Sequence, residues 1–290
     1  MAVGIITKGF GGFFYVQVEN KLIETIPPGR FKKEGINLFV GDKVEIKEKT
    51  SGSWVIDKIY PRKNQLLRPP IANIDQTVLV FSLKMPKINL ELLDKYLILT
   101  EKSNIRAVIC LNKMDLLQPK EVEEVVSIYK KAGYAVIHTS AKLKQGITEL
   151  KEVLKNKISV FAGPSGVGKS TLLNILQPGL KLKTGQLSQK ILRGKHTTRH
   201  VELIKLNFGG YVADTPGFSS IEMKDIKKEE LAYMFPEMKN LIYKCRFRGC
   251  LHYSEPDCEI KRAVEAGFIS KSRYNHYLKI LMELNKYRRR

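Results

Sequence analysis

The chain has 290 residues, 43% apolar and 27% charged, a balance typical of a folded protein with room for two or three domains. Its 50 lysines and arginines against 29 acidic residues give a net charge of +21, which favours a large anionic partner such as nucleic acid, unless the whole proteome is lysine-rich. No apolar run reaches the roughly 18 to 20 residues that span a bilayer, which disfavours a membrane protein. Residues 1–7 lack a signal-peptide pattern, which disfavours a secreted protein. We expect a cytoplasmic monomer with no membrane partner.

The first 65 residues alternate short β-like runs with glycine, proline and charged turns. The predicted strands are 4–7, 13–18, 22–25, 43–46 and 54–59. Five short strands at this spacing are typical of a small all-β barrel of the OB type, which often binds oligonucleotides. We therefore predict an OB-fold RNA-binding domain over residues 1–65, with a β-domain that only packs or spaces as the alternative.

A proline-containing stretch, 61–73, breaks both periodicities and is predicted to be a linker. Over the domain predicted at 66–222, strand and helix patterns alternate, which predicts an α/β core whose parallel sheet carries helices on both faces. The predicted strands are 77–82, 107–111, 135–138, 158–162 and 210–213, and the predicted helices are one opened by Asn89, then 121–132, 147–154 and 171–176. Residues 223–290 lack strand patterns and are predicted to form a C-terminal helical domain.

The sequence GPSGVGKS, followed by a threonine, lies between an apolar strand pattern and a helical one. Its glycines allow the backbone to turn its N–H groups inward, Lys169 reaches terminal phosphates, and Ser170 can ligate Mg²⁺. The predicted phosphate-binding residues are Gly163, Pro164, Ser165, Gly166, Val167, Gly168, Lys169, Ser170 and Thr171. An ordinary glycine-rich turn is the alternative, but the strand and helix on either side favour the phosphate loop.

Two further short motifs predict recognition of guanine. Asn112, Lys113, Met114 and Asp115 end one predicted strand, and the Asp115 carboxylate can accept from guanine N1–H and N2–H₂, which adenine does not offer. Thr139-Ser140-Ala141-Lys142 follows another strand, and there Ser140 and Ala141 are predicted to meet guanine O6 through backbone N–H. Each motif alone could occur by chance, but both fall at strand ends, in the spacing that a guanine pocket needs.

A fourth motif, DTPG, follows the last predicted strand. Asp214 can hold Mg²⁺ through water and the Gly217 N–H can meet a γ-phosphate. The order of these motifs is unusual. The guanine-binding motif NKMD precedes the phosphate loop by about fifty residues, whereas ordinary GTPases have the loop first. Strand ends of a parallel sheet meet at one edge, so a circularly permuted chain keeps the same pocket.

The chain resembles the RsgA family of circularly permuted GTPases that depend on the small ribosomal subunit. The resemblance rests on the motifs NKMD, TSA, GPSGVGKS, RGKHTT and DTPG in that order. It also includes the connecting segment 68–75, which leads into the permuted domain, and a cysteine cluster. It implies an N-terminal OB fold, GTP hydrolysis to GDP, a 30S subunit and 16S rRNA partner, and a role in late 30S maturation. A non-catalytic, nucleotide-responsive RNA-binding assembly factor is the alternative; a P-loop kinase is disfavoured because Asp115 points to guanine.

The RGKHTT segment lies where a GTPase keeps its first switch. Thr198, or else Thr197, is predicted to bind GTP and to join Ser170 as a Mg²⁺ ligand. Many GTPases orient the attacking water with a glutamine after the DTxG glycine, but that position is Phe218 here. His196 is the nearest candidate, which the resemblance supports, and a histidine that contacts RNA or solvent is the alternative. The predicted catalytic residues are His196, Thr198, Lys169 and Asp214.

Four residues near the C-terminus predict a metal site: Cys245, Cys250, His252 and Cys258. Three thiolates and an imidazole form a closed tetrahedral set that suits one structural Zn²⁺. Their spacing differs from the common paired Cys-x-x-Cys pattern, but the resemblance implies a zinc site at the same four positions. Free cysteines in a helical domain are the alternative. Cys110 lies inside an apolar strand and is predicted to be a core thiol.

Overall fold

The computed structural model of the chain describes residues 1–67, 70–178, 180, 201–214 and 223–287. Within these residues the chain forms an N-terminal barrel, a six-stranded sheet with helices on both faces, and a helical C-terminal part. In the described residues, no helix combines the length and the apolar character that crossing a bilayer requires.

The N-terminal barrel is closed by five strands in the order β1-β2-β3-β5-β4, with β1 also paired to β4. Their bounds are β1 Ala2–Phe10, β2 Phe13–Val18, β3 Lys21–Ile26, β4 Lys43–Glu48 and β5 Trp54–Ile59, with one short helix, α1 Gly29–Lys33. Only β3 and β5 pair in parallel. Ile6, Val16 and Ile46 are fully buried inside, because every second side chain of a strand faces the interior. The predicted five-stranded barrel is confirmed.

The stretch predicted as a linker is an ordered connection. It contains the antiparallel hairpin β6 Gln65–Leu67 and β7 Pro70–Ala72, in which Ile71 is fully buried. Arg62 donates to both oxygens of buried Asp42, at 2.6 and 2.8 Å, and so ties the connection to the barrel. The linker prediction failed because each hairpin strand has three residues, which is too short to show a period of two.

The central sheet has the order β10-β9-β8-β11-β13-β12, and among its described strands only β12 is antiparallel to its neighbour. The strands are β8 Gln76–Ser82, β9 Arg106–Asn112, β10 Ala135–His138, β11 Ile158–Ala162, β12 Ile204–Lys205 and β13 Tyr211–Asp214, and the helices are α2 Leu90–Lys102, α3 Pro119–Lys131, α4 Ile147–Leu154 and α5 Lys169–Leu176. The two-residue β12 was not predicted from the sequence. The predicted parallel core is otherwise confirmed.

Helices cover both faces of this sheet. Val78 and Val80 of β8 pack with α4 and α5, whereas the alternate residues Leu79 and Phe81 belong to a second cluster with α2 and α3. That second cluster continues without a break into the C-terminal helices, through residues such as Tyr277. The C-terminal part therefore shares a hydrophobic core with the sheet.

The C-terminal helices are α6 Pro236–Lys239, α7 Glu259–Glu265 and α8 Lys271–Tyr287. Arg273 of α8 is only 1% exposed; its guanidinium donates to Asp94 of α2 at 2.6 Å and to Glu237 at 2.7 Å. His276 lies 2.6 Å from the second Asp94 oxygen, and Tyr129 donates to Asp94 at 3.0 Å. These partners offset the cost of burying the charges and fix α8 on α2.

The barrel meets the sheet through residues 201–206. The Leu203 N–H donates to the Thr7 carbonyl at 2.8 Å, next to an antiparallel bridge between Lys8 and Glu202. Thr7 is available because β1 bulges between Ile6 and Lys8. The same segment continues into β12, which pairs with β13, so barrel and sheet are hydrogen-bonded to one stretch of chain.

Candidate nucleotide site and metal centre

The predicted nucleotide-binding motifs follow four strands of the central sheet. Asn112 ends β9, Thr139 follows β10, the phosphate loop follows β11 and Asp214 ends β13. These four strands are parallel, so the motifs meet at the carboxyl edge of the sheet, where open α/β sheets bind ligands.

The glycines of the phosphate loop adopt backbone angles that other residues avoid. Gly163, Gly166 and Gly168 have φ values of 139°, 79° and 99°. A Cβ at Gly163 would lie 2.1 Å from the Val80 carbonyl oxygen, and one at Gly168 would lie 2.3 Å from the Asn112 amide nitrogen. Glycine is therefore required for conformation and for space, and the loop can bring its N–H groups to an anion at the start of α5.

Lys169 is the first residue of α5 and its ammonium lies on the loop itself. Its Nζ donates to the carbonyl oxygens of Gly163 and Pro164, both at 2.8 Å. Ser170 follows in the first turn of α5 and is half-buried. The loop amides, an ammonium and a hydroxyl thus gather at one helix N-terminus, which suits phosphate oxygens.

The Asn112 side chain connects its own motif, NKMD, to the phosphate loop and to the TSA motif. It is 1% exposed, and its amide nitrogen donates to the Val167 carbonyl of the phosphate loop at 2.9 Å. Its amide oxygen accepts from the Thr139 hydroxyl and from the Ala141 N–H, both at 3.1 Å. Asn112 therefore holds the phosphate loop and the TSA loop in fixed positions relative to each other.

Asp115 lies beside Ser140, whose hydroxyl donates to one Asp115 oxygen at 2.5 Å. The same hydroxyl accepts from the Leu143 N–H at 3.1 Å, which fixes its direction. Among the described residues, the second Asp115 oxygen has no hydrogen-bond donor, so it can accept from a base. A carboxylate oriented in this way is suited to the N1–H and N2–H₂ pair of guanine.

Lys113 connects the phosphate loop to a segment that sequence reasoning missed. With φ at 65°, it directs Nζ to the carbonyl oxygens of Gly166 and Met85, both at 2.7 Å. Met85 belongs to the loop between β8 and α2, and Pro86 lies within 3.9 Å of the Cβ position of Gly166. Met85 carries no sequence signal for this role, because the contact depends on tertiary proximity.

The remaining predicted residues divide into two groups. Asp214 ends β13 and pairs in the sheet with Phe161 of β11, one strand away from the phosphate loop. Asp214 therefore ends the strand next to β11, and Ser170 lies in the helix that follows the phosphate loop of β11. Hydroxyl and carboxylate oxygens are ligands that suit Mg²⁺. His196, Thr197, Thr198 and Gly217 lie outside the described residues.

The four predicted zinc ligands converge, with their ligand atoms all within 4.8 Å of one another. Cys245 Sγ lies 3.9 Å from Cys258 Sγ, and His252 Nδ1 lies 3.6 and 3.4 Å from these two sulfurs. Tetrahedral zinc separates two sulfur ligands by about 3.8 Å and a sulfur from a nitrogen by about 3.5 Å. The donor set therefore fits a closed zinc site, with Nδ1 as the imidazole ligand.

Burial and two tyrosines define the surroundings of the metal loop, residues 245–258. Without a metal, burial raises the pKa of the Cys250 thiol to about 12 and also raises the pKa of Cys258, so zinc would have to displace the thiol protons when it binds. Two tyrosines of α8 hold the loop backbone, with Tyr274 donating to the His252 carbonyl and Tyr277 to the Leu251 carbonyl, both at 2.7 Å. The metal loop is thus fixed to the helix that also carries Arg273.

Two protein-family profiles match the chain, the RsgA N-terminal domain over residues 3–56 and the RsgA GTPase over residues 59–224. The chain is 48% identical over 287 residues to the small ribosomal subunit biogenesis GTPase RsgA of Caldanaerobacter subterraneus subsp. tengcongensis, covering 99% of this chain and 97% of the relative. It is 50% identical over 291 residues to the protein of the same name from Alkaliphilus metalliredigens, covering 100% of both.

Two solved structures resemble the whole chain. YjeQ from Thermotoga maritima has a TM-score of 0.86 and 41% identity, covering 98% of each chain. YloQ, described as a circularly permuted GTPase, has a TM-score of 0.83 and 40% identity, covering 99% of this chain and 96% of the other. Both similarities extend beyond the sheet, so they include the barrel and the C-terminal helices.

Proposed function

Because the chain belongs to the RsgA family of circularly permuted GTPases, we propose that it hydrolyses GTP to GDP and phosphate during late maturation of the small ribosomal subunit. The side chain of Asn112 carries this proposal, since it bonds the phosphate loop at Val167 and the TSA loop at Ala141. A guanine-reading loop and a phosphate-binding loop fixed together in this way suit one guanine nucleotide.

Several residues would hold the nucleotide and its cation. Asp115 would select guanine, while Lys169 and the loop amides would hold the phosphates. Ser170 and Thr198, with Asp214 through water, would hold Mg²⁺, which when bound neutralises phosphate charge. We keep Thr197 as the alternative to Thr198.

The hydrolytic step requires an oriented water. Water attacks the γ-phosphorus, the bond from that phosphorus to the bridging oxygen of GDP breaks, and GDP and phosphate leave. Phe218 cannot hydrogen-bond a water, so His196 is the proposed orienting group, and turnover by the isolated protein should be slow. His196→Ala should then lower the rate without weakening GTP binding.

The proposed partner is the 30S subunit, contacted through its 16S rRNA. The relatives carry the name of small ribosomal subunit biogenesis GTPases, and a net charge of +21 suits binding to RNA phosphates. We infer that the protein works as a monomer in the cytoplasm, where bacterial subunits are assembled. One structural Zn²⁺ at Cys245, Cys250, His252 and Cys258 would complete the C-terminal part.

GTP hydrolysis measured with and without purified 30S subunits tests this function. We expect stimulation by at least about tenfold, because a partner would order the switch around the water. Lys169→Ala serves as the control that should abolish both rates. A chain that binds GTP and 30S subunits but shows no stimulated turnover would instead be the non-catalytic assembly factor.

A further inference from the structure

Residues 201–206, which we call the bridging segment, are bonded to strand β1 of the barrel. The Leu203 N–H donates to the Thr7 carbonyl at 2.8 Å, and the ammonium of Lys8 lies 3.6 Å from the Glu202 carboxylate. Leu203 and Thr7 are only 3% and 5% exposed, so water competes little for their hydrogen bond.

A second contact joins the bridging segment to the turn between β2 and β3. The Lys205 ammonium donates to the Glu19 carbonyl and, at 3.0 Å, to the side-chain oxygen of Asn20. Glu19 has a φ of 47°, in the left-handed region that tight turns use. Two parts of the barrel, β1 and this turn, therefore hold one short stretch of chain.

The bridging segment is also bonded to the nucleotide-binding half of the molecule. It contains β12, which pairs with β13, and the turn of this hairpin meets the end of α5. The Gln177 side chain, directly after α5, donates to the Asn207 side chain at 2.9 Å and accepts from the Asn207 N–H at 3.1 Å. The helix that begins at the phosphate loop is thus tied to the same hairpin that the barrel holds.

The barrel has a hydrophobic core of its own. Within the described residues, Ile6, Val16 and Ile46 form a cluster separate from those on the two faces of the sheet, whereas α8 shares a cluster with the sheet. A cleft of about 520 Å³, lined by Lys43 of the barrel and Tyr211 of the sheet among others, lies between barrel and sheet. Over this part of the junction, hydrogen bonds take the place of continuous packing, and such contacts open at lower cost than a packed core.

Both routes from the hairpin lead to groups that meet the phosphates. Lys169 begins α5, which Gln177 ends, and Asp214 ends β13. GTP carries a γ-phosphate that GDP lacks, and the cation of a bound nucleotide bridges its β- and γ-phosphates. Lys169 and Asp214 therefore meet different charges in the two nucleotide states, and β13 and α5 connect them to the hairpin.

We propose that the bridging segment couples the barrel to the nucleotide site, with Lys205 and Gln177 as positioning residues on its two sides. Exchange of GTP for GDP then changes how firmly the barrel is held. Coupling between two binding sites is reciprocal, so a partner bound to the barrel changes the preference for GTP over GDP in return. This inference rests on the proposed function, which supplies the guanine nucleotide, and it adds a route for regulation.

Hydrogen–deuterium exchange measured by mass spectrometry tests the coupling on the full zinc-loaded protein. A buried amide exchanges when its hydrogen bond opens, so the peptide that contains Leu203 is followed with GDP and with a non-hydrolysable GTP analogue. Exchange at Leu203 should differ between the two nucleotides by about fivefold or more. Lys205→Met and Gln177→Ala should each shrink that difference and leave the affinity for the analogue nearly unchanged.

Control variants separate the contact from general effects of charge. Lys205→Arg keeps a donor at the turn and should behave like the parent. Lys47→Met makes the same change at a lysine whose ion pair with Asp57, at 2.6 Å, joins two barrel strands, and it should keep the full difference. Glu202→Lys places a second cation beside Lys8 and should weaken the coupling, and Lys8→Glu in the same chain should restore it.

Purified 30S subunits provide the reciprocal measurement. Bound subunits should change the ratio of affinities for the analogue and for GDP by about fivefold or more in the parent, and by less in Lys205→Met. A variant that only destabilises the barrel would bind 30S subunits more weakly with both nucleotides equally. That equal loss, with the full ratio retained, would contradict a positioning role for Lys205.

Equal exchange at Leu203 with the two nucleotides overturns the inference, and so does an unchanged difference in either Lys205→Met or Gln177→Ala. Turnover stimulated by 30S subunits without any difference in exchange would leave the proposed function intact and remove the inference. A difference in exchange without stimulated turnover would do the reverse, since the coupling would then belong to a non-catalytic assembly factor.

Discussion

At the scale of single residues, the nucleotide site depends on side chains that bond other protein groups. Asn112 uses its amide nitrogen on Val167 and its amide oxygen on Thr139 and Ala141. Sequence motifs predicted that Asn112 belongs to the site, because it ends a strand beside Lys113 and Asp115. They could not predict its partners, since Val167 is 55 residues away in the chain.

Asp115→Asn should change which nucleotide the protein accepts. The carboxylate is suited to accept from two guanine N–H groups, and an amide would place a donor against one of them, so GTP affinity should fall by at least about 100-fold. Xanthosine triphosphate carries an oxygen at position 2, so it should bind the variant more tightly than GTP. Titration with fluorescent nucleotide analogues measures both affinities.

Asp115→Ala is the matched control for this exchange. It removes the acceptor without adding a donor, so it should weaken GTP binding and gain nothing for xanthosine triphosphate. If Asp115→Asn still prefers GTP, Asp115 does not read the base.

At the scale of elements, the regular strands and helices of the core were predictable, because buried strands are apolar and Asn89 caps α2. The hairpin of β6 and β7 and the short β12 were not, since their strands are held by partners rather than by pattern. Arg273 is the clearest case. A basic C-terminal segment predicts exposed charges, yet Arg273 is buried because Asp94, on a helix 179 residues away, supplies its counter-charge.

Arg273→Ala should destabilise the protein strongly. It would leave Asp94 and Glu237, which have side-chain exposures of 0% and 6%, without their shared cation, at a cost of about 3 to 5 kcal/mol. Urea unfolding of zinc-saturated protein measures the loss in free energy of unfolding. Arg262, which pairs with Asp257 at 3.2 Å and is 60% exposed, provides the control, and Arg262→Ala should cost less than about 1 kcal/mol. Similar losses for the two variants would contradict a structural role for the buried network.

At the scale of the whole molecule, the metal loop and the nucleotide site belong to different elements joined by packing. The metal loop is held by Tyr274 and Tyr277 of α8, and α8 is fixed through Arg273 to α2. The α2 helix follows the loop that contains Met85, which Lys113 ties to the phosphate loop. The domain order was predictable from composition and motifs, but this contact between α8 and α2 was not, because no local pattern specifies which helices pack together.

Removal of zinc should therefore affect the partner more than the nucleotide. The metal loop contributes no atom to the hydrogen bonds described around Asn112 and Asp115, so GTP affinity should change little, while stimulation of hydrolysis by 30S subunits should fall. Fluorescent-nucleotide titration and turnover assays compare protein before chelation, after chelation and after zinc is restored. Equal losses of affinity and stimulation would contradict this separation.

The order of strands in the sheet has a consequence for synthesis of the chain. β8, β9 and β10 are consecutive in the chain and adjacent in the sheet, and all three are synthesised before the phosphate loop. β11 then completes the sheet by pairing with the other side of β8. In this permuted order, the base-reading half is a template synthesised first, against which the phosphate loop later docks at Asn112.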